Sequence, residues 1–170
     1  PCKRAVEPSF DAAMARPHST GVDVRIDQDT GTTIHDFSQV WVGGVLSPVA
    51  GDVVFSAEAD NGLRLWIGKN LIIDGWAENG PREGAYAFPE ANVPTPFRLE
   101  YFQFGGTGHI RLYWQWDGVG RALVPASAFV HGADDLAQVE EMGTKRMGAE
   151  ETPLSEAKAV IYEAGQQTQR

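Results

Sequence analysis

Apolar and polar residues alternate in short runs through the middle of the chain. In DVVFSAEAD, Val53, Phe55, Ala57 and Ala59 fall on one face of an extended strand. The run LRLWI, the turn GKN and the run LIID predict a β-hairpin whose register follows from the apolar residues Leu63, Leu65 and Ile67.

Two later runs continue this pattern. PFRLEYFQF separates Phe97, Leu99 and Tyr101 from Arg98, Glu100 and Phe102, and HIRLYWQW places Ile110, Leu112, Trp114 and Trp116 on one face. Gly, Pro and Asn turns separate the runs, and no helix-length periodic run interrupts them. Residues 34–131 therefore predict an all-β, antiparallel β-sandwich or barrel rather than a parallel α/β sheet.

The two flanks have a different pattern and predict short helical extensions. Residues 1–33 form an N-terminal extension in which PSFDAAMAR predicts a short helix capped by Ser9. Residues 132–170 form a C-terminal extension. TPLSEAKAVIYEAG predicts a helix that starts at Thr152-Pro153 and ends at Gly165. Its apolar stripe is Leu154, Ala157, Ile161 and Tyr162. DDLAQVEEMG predicts a weaker helix on the same grounds.

Composition and charge narrow the function classes. The 170 residues carry a formal net charge of −9 at pH 7, which argues against nucleic-acid binding. No run approaches the roughly 18 consecutive apolar residues of a membrane span. The single cysteine, Cys2, excludes an internal disulfide and a cysteine-based metal site. It is either an incidental thiol or a point of intermolecular or lipid attachment. No signal peptide is visible, so the chain is mature, a fragment or cytoplasmic.

Catalytic motifs are lacking, so we expect a non-enzymatic protein. The four histidines share no metal-binding spacing, and no GxSxG nucleophile elbow occurs. Asp52 and Glu58 are a carboxylate pair of the kind that glycosidases use, but no cleft-building frame accompanies them. No Gly-rich loop follows a strand and opens a helix, which leaves nucleotide binding unsupported.

The ordered set of β-zone residues resembles the PA14 domain. FSQVWVGGVLSPVAGDVVFSAEADNGLRLWIGKNLIIDGW, then PTPFRLEYFQFGGTGHIRLYWQW, then ALVPASAFVH follow the family's order of motifs. The resemblance covers roughly residues 34–131. It implies an antiparallel β-sandwich that serves as an extracellular, cell-surface or periplasmic module, with glycans as the expected partners.

The resemblance also implies a location for the ligand site. In the family's adhesins, two consecutive aspartates joined by a cis peptide hold a calcium ion, and the ion holds sugar hydroxyls. Asp60 matches the first aspartate, whereas Asn61 replaces the second. Gln103 stands in place of a later asparagine, and the loop with Gly105 and Thr107 stands where carbonyl donors would lie. The resemblance thus proposes Asp60, Asn61 and Gln103 as ligands of a possible Ca²⁺ ion, and we predict a cis bond between Asp60 and Asn61.

Three interpretations of this segment stay open at this point. Asp60-Asn61-Gly62 is an Asx-type turn between strands, a calcium-dependent sugar site or a metal-free site. For Trp76 two interpretations stay open, packing and ligand contact. Trp41, Trp114 and Trp116 fit core positions.

Two functions follow from these interpretations. The first is a carbohydrate-binding or surface-adhesion module whose ligand residues are Asp60, Asn61, Trp76, Gln103, Gly105 and Thr107. The alternative is a structural or assembly subunit whose PA14-like domain and C-terminal helix mediate contacts with other protein subunits. An accessory domain of a larger enzyme is a third possibility, for which the sequence offers no catalytic partner.

Overall fold

The computed structural model describes residues 19–23, 25–31, 37–77, 80–103, 107–132, 134–135 and 157–162. Within these ranges the chain forms twelve β-strands and a short 3-10 helix (Ala126–Ala128). The strands are β1 (Ser19–Asp23), β2 (Asp27–Gly31), β3 (Phe37–Val45), β4 (Gly51–Asp60), β5 (Gly62–Ile67), β6 (Asn70–Gly75), β7 (Glu83–Phe88), β8 (Thr95–Gln103), β9 (Gly108–Trp116), β10 (Val119–Leu123), β11 (Phe129–Val130) and β12 (Ala157–Tyr162).

The strands form two sheets. The seven-stranded sheet has the order β1-β12-β3-β8-β5-β6, with β11 also paired to β3. The five-stranded sheet has the order β10-β9-β4-β7, with β2 also paired to β9. Among the described strands every pairing is antiparallel apart from those of β12, which runs parallel to both β1 and β3. The predicted all-β antiparallel sandwich is therefore confirmed.

A single hydrophobic core lies between the sheets. Trp41 and Leu99 of the seven-stranded sheet and Phe55 and Trp114 of the five-stranded sheet belong to one buried cluster. The predicted apolar faces of β4, β5, β8 and β9 supply most of this core, as strand alternation requires. Burial of these faces fixes the register of each strand, because a shift by one residue would turn the whole face towards water.

The predicted C-terminal helix over residues 152–165 is wrong where the structure describes it. Residues Ala157–Tyr162 form strand β12, which pairs with Ser38–Val42 of β3 on one side and with all of β1 on the other. Val160, Ile161 and Tyr162 are β-branched or aromatic residues, which favour a strand. The open edge of β3 supplies hydrogen-bond partners that no local pattern reveals. The expected contact with protein subunits through this helix is therefore not supported.

Other predictions for the two flanks fall on different residues. The N-terminal helix at Ser9 lies outside the described residues, and of the helix expected in DDLAQVEEMG only Asp134 and Asp135 are described. The division at residues 1–33, 34–131 and 132–170 stays a prediction, although β1, β2 and β12 from the flanks join the two sheets. Among the described residues, no helix has the length and apolar character that crossing a membrane requires.

Candidate functional site

The segment that connects β4 to β5 crosses from one sheet to the other. Asp60 is the last residue of β4 in the five-stranded sheet, and Gly62 is the first residue of β5 in the seven-stranded sheet. The peptide bond between Asp60 and Asn61 is cis, which confirms the prediction made for it. The predicted hairpin is also confirmed at its predicted position, between β5 and β6.

Three hydrogen bonds hold the backbone of this crossing. The Tyr101 hydroxyl donates to the Asp60 carbonyl oxygen at 2.6 Å. The Asn61 amide donates to the Phe102 carbonyl oxygen at 3.1 Å, and Arg82 Nη2 donates to the Asn61 carbonyl oxygen at 2.7 Å. Because these partners lie on β8 and directly before β7, the crossing is positioned by tertiary structure rather than by a local turn.

Gly62 allows the crossing to pass close to its neighbours. A Cβ atom at this position would collide with the ring of Phe102 and would lie 2.8 Å from the carbonyl oxygen of Trp76. Phe102 was placed on the polar face of β8 by the alternation of the sequence, yet it is buried here. Its ring packs on Trp76, with 4.5 Å between the ring centroids.

Trp76 contacts side chains of two strands, Phe102 of β8 and Arg64 of β5. In addition to its contact with Phe102, the guanidinium of Arg64 lies 4.8 Å from the centre of the Trp76 ring. Arg64 is itself held by Asp74, with 2.9 Å between Nε and Oδ1. These contacts favour the packing interpretation of Trp76, and its contact with a ligand stays a prediction.

The other predicted ligand residues lie at or near the same end of the sandwich. Gln103 ends β8 directly after Phe102, and its side chain is fully buried. Thr107 is exposed and lies two positions before His109, the register partner of Asp60. Gly105 lies outside the described residues. We call the group Asp60, Asn61, Gly62, Trp76 and Arg82 the Asp60 end.

The charge of Asp60 affects two neighbouring groups. Burial raises the pKa of Tyr101, and the negative charge of Asp60 raises it further. Burial lowers the pKa of Arg82, and the charge of Asp60 opposes that shift. Both effects show that the Asp60 carboxylate lies within electrostatic reach of a buried hydroxyl and a guanidinium, in surroundings less polar than water.

Arg82 and the hydroxyl of Tyr101 were not predicted from the sequence. Arg82 follows a turn-rich segment, and its partners Asn61 and Gly75 are 21 and 7 residues away along the chain. No local pattern marks a side chain whose partners are backbone carbonyls so far from it. The Tyr101 hydroxyl reaches Asp60 across 41 residues, from a position that alternation assigned only to the core.

The oxygen donors at the Asp60 end fit calcium poorly. Calcium takes six to eight oxygens and depends on carboxylates for affinity. Asp60 supplies one carboxylate, and the backbone carbonyls of Asp60 and Asn61 already accept hydrogen bonds from Tyr101 and Arg82. Within the described part of the chain, no group of three or more His, Cys, Asp or Glu side chains is arranged to hold a metal.

An open groove of about 770 Å³ lies at the opposite end of β4 and β9. Trp116, Gln115 and Asp117 line it where β9 turns into β10, and Asp52 lines it near the start of β4. Asp52 and Asp60 are eight residues apart on one strand, or roughly 26 Å at the rise of about 3.3 Å per residue. We call this feature the hairpin groove. No sequence motif pointed to it.

Charged side chains form a network on β4, β9 and β10 between these two ends. Arg121 Nη2 donates to the Glu58 carboxylate at 2.8 Å, and the Tyr113 hydroxyl donates to it at 3.1 Å. The hydrogen bond from Arg121 is the main cause of the lowered pKa of Glu58. Because the side chains of Arg121 and Glu58 are 43% and 44% exposed, this is a solvated ion pair of the surface.

Comparison with known proteins identifies the fold. The sequence profile of the PA14 domain matches residues 14–128. The chain belongs to the PA14 domain family. The match extends further towards the N-terminus than the resemblance at residues 34–131, and it includes β1 and β2.

Proteins named as anti-sigma factors are similar to this PA14 domain. The chain is 25% identical over 130 residues to the anti-sigma-I factor RsgI3 of Acetivibrio thermocellus. That match covers 72% of this chain but only 20% of the relative. An anti-sigma factor domain-containing protein from Clostridium clariflavum superposes with a TM-score of 0.59 at 30% identity, over 65% of this chain and 40% of the other. The chain thus spans only a minor part of each relative.

An adhesin has the same fold. The A domain of Epithelial Adhesin 6 from Candida glabrata, solved in complex with Galβ1-3GlcNAc, superposes with a TM-score of 0.55. The superposition covers 65% of this chain and 66% of the adhesin domain. At 13% identity this likeness concerns the fold alone.

Proposed function

We propose that the chain is a non-enzymatic carbohydrate-binding module and that the Asp60 end is its binding site. The observation that carries the proposal is the hydrogen-bonded crossing at Asp60 and Asn61 in a PA14 domain. It stands where the family resemblance places the first ligand-binding aspartate. Tyr101 and Arg82 donate hydrogen bonds to its backbone, and its Asn61 amide donates to the Phe102 carbonyl oxygen. The backbone is thus fixed, as a preorganised binding site requires.

The chemistry of the Asp60 end suits a polyhydroxylated ligand. The partly buried Asp60 carboxylate can accept hydrogen bonds from sugar hydroxyls, and charged acceptors make the stronger hydrogen bonds. Thr107 is exposed near the same end and can both donate and accept. With a net charge of −9, the chain would repel a strongly anionic polymer, so we propose a neutral glycan.

We further propose that this module acts at the cell surface or in another extracytoplasmic location, as part of a larger protein. The chain matches one fifth of the length of RsgI3, whose name describes an anti-sigma factor. A second candidate function follows from this likeness. In it the module is the ligand-recognising portion of a regulatory protein, and carbohydrate binding is the signal rather than a means of adhesion.

A glycan array tests the proposed function. The wild-type chain is expected to retain a subset of neutral glycans, and Asp60→Ala is expected to abolish retention. The matched control is Asp52→Ala, which removes a carboxylate from the hairpin groove and is expected to leave retention unchanged. Failure of the wild-type chain to bind any glycan, or equal binding by Asp60→Ala, would contradict the proposal.

A further inference from the structure

The side chain of Arg82 connects three segments of the chain at the Asp60 end. Arg82 directly precedes β7, its Nη2 donates to the carbonyl of Asn61 at 2.7 Å, and its Nη1 donates to the carbonyl of Gly75 at 3.0 Å. Asn61 lies between β4 and β5, and Gly75 ends β6. The guanidinium is thus fixed by two backbone carbonyls and cannot turn freely, as a charged side chain on an open surface would.

The surrounding residues leave room for this side chain. A Cβ atom at Gly75 would lie 2.9 Å from Arg82 Nη1 and 2.6 Å from the carbonyl oxygen of Pro81. Any other residue at Gly75 would therefore displace the guanidinium or the segment that carries it. The lack of a side chain at Gly75 thus leaves space in β6 for the guanidinium of Arg82.

The charge of Arg82 bears directly on the calcium question. A guanidinium keeps its positive charge at every physiological pH. Arg82 Nη2 lies 2.7 Å from the carbonyl oxygen of Asn61, the residue next to Asp60. Burial lowers the pKa of Arg82, and the charge of Asp60 raises it. A calcium ion bound by the side chains of Asp60 and Asn61 would lie beside the residue whose carbonyl holds this guanidinium, and like charges in partly buried surroundings repel.

We propose that the guanidinium of Arg82 takes the place that a calcium ion holds in the family's adhesins, so that ligand recognition at the Asp60 end needs no metal. This inference rests on the proposed carbohydrate-binding function. Arg82 balances the charge of Asp60 and fixes the carbonyl of Asn61. Its guanidinium has five N–H donors, of which the two carbonyl contacts use two, so it can also donate to a ligand hydroxyl that Asp60 accepts from.

Calcium titration tests this inference without any glycan. The melting temperature of the wild-type chain is expected to stay the same when millimolar CaCl₂ replaces EGTA, and calorimetric titration with CaCl₂ is expected to give no binding heat. The variant Asn61→Asp/Arg82→Gln restores a second carboxylate and removes the guanidinium. We expect it to melt at a higher temperature in CaCl₂, with affinity in the range of about 10⁻⁴ to 10⁻³ M typical of extracellular calcium modules.

A matched variant separates the charge of Arg82 from its hydrogen bonds. Asn61→Asp/Arg82→Lys keeps the positive charge without the planar donor pair, and it is expected to remain indifferent to calcium. Calcium binding by the wild-type chain would overturn the inference. The inference would also be overturned if Asn61→Asp/Arg82→Gln did not bind calcium, because the ion would then be excluded by something other than the guanidinium.

Glycan retention gives a second readout. Retention by the wild-type chain is expected to be equal in EGTA and in CaCl₂. Arg82→Gln is expected to lose about tenfold in affinity, which is about 1.4 kcal/mol. Arg121→Gln, a change to a surface arginine paired with Glu58, serves as the control and should bind as the wild type does. Loss of wild-type retention in EGTA would overturn the inference. If no glycan is retained under any condition, the proposed function fails, and the calcium titration still decides the role of Arg82.

Discussion

The two ends of β4 and β9 show two different ways in which a β-sandwich can present polar side chains. At the Asp60 end, Tyr101 and Arg82 are hydrogen-bonded to the backbone of the crossing. At the hairpin groove, Gly118 and Gly120 have open space around them, since a Cβ atom at either would meet nothing within 4 Å. The groove encloses about 770 Å³, whereas the Asp60 end has polar groups that Tyr101 and Arg82 fix by hydrogen bonds.

In this molecule the concave surface and the hydrogen-bonded polar groups thus lie at different ends of the sandwich. A binding site needs polar groups held in place by their own neighbours, so that the ligand does not have to order them. The Asp60 end meets this condition through contacts that span 21 and 41 residues of sequence. The hairpin groove lies at a surface turn, and its lining residue Trp116 is held by the ring of Trp114, with 5.5 Å between the ring centroids.

The glycines of the two ends should differ most in their tolerance of substitution. Gly62→Ala forces a methyl group into Phe102 and the Trp76 carbonyl, and overpacking of this kind costs about 1–3 kcal/mol. Gly120→Ala at the hairpin groove should change the free energy of unfolding by less than about 0.5 kcal/mol. Urea unfolding of both variants measures the difference. Equal destabilisation of Gly62→Ala and Gly120→Ala would contradict the difference in packing between the Asp60 end and the hairpin groove.

The carboxylates of the two ends should differ in their contribution to ligand affinity. Asp60→Asn keeps the size of the side chain and removes its charge, so we expect at least about a tenfold loss of glycan affinity, or about 1.4 kcal/mol. Asp52→Asn makes the same change at the hairpin groove and should leave affinity within about twofold of the wild type. Calorimetric titration with a retained glycan compares them. A larger loss of glycan affinity for Asp52→Asn than for Asp60→Asn would indicate that the glycan binds at the hairpin groove.

Tyr101→Phe should remove one hydrogen bond at the Asp60 end and keep the aromatic ring in the core. Loss of the 2.6 Å hydrogen bond to the Asp60 carbonyl should cost about 1 kcal/mol of unfolding free energy at pH 7. Because burial raises the pKa of Tyr101 above its ordinary value of 10.0, the folded protein holds this proton more tightly than the unfolded chain does.

The stabilisation from that proton is full below pH 10 and is lost as the pH rises above 10. The wild-type chain should therefore lose stability in alkali faster than Tyr101→Phe, and the gap between the two should narrow. Unfolding curves at a series of pH values up to the alkaline range show this directly. A gap that stays constant across the series would contradict the role given to the hydroxyl.

The surface network between the two ends should contribute least. Glu58→Gln removes an ion pair in which both side chains are more than 40% exposed, and such pairs contribute about 0.2–1 kcal/mol. The lowered pKa of Glu58 means that its contribution is present above the ordinary value of 4.5 and is lost as the pH falls below it. We expect a small loss of stability that high salt removes. A salt-independent loss above about 1 kcal/mol would mark this pair as structural.

The sequence predicted the parts of this fold that depend on local alternation. The core faces of β4, β5 and β8 follow directly from Phe55, Leu65 and Leu99, because a half-buried strand shows a period of two. The cis bond was predicted as well, through the family resemblance. Phe102 was misplaced because alternation assigns a residue to a face and does not show that the Asp60 end covers that face.

The parts that sequence did not predict depend on distant pairing. Ala157–Tyr162 contains alanine and a helical stripe, but the edge of β3 holds it as a strand. Such tertiary overrides of local preference are invisible in a single sequence. Arg82 was missed for the same reason, since both of its hydrogen-bond partners are backbone carbonyls of other segments.

The most direct test of the carbohydrate-binding account is an NMR titration of the full chain with an array-retained glycan. The backbone amides of Asn61 and Gly62 and the Nε signal of Arg82 are expected to shift on addition of the glycan, whereas those of Gly118 and Gly120 are expected to stay in place. The result should be the same in EGTA and in CaCl₂. Shifts confined to Gly118 and Gly120, or shifts at Asn61 that appear only with calcium, would contradict the account.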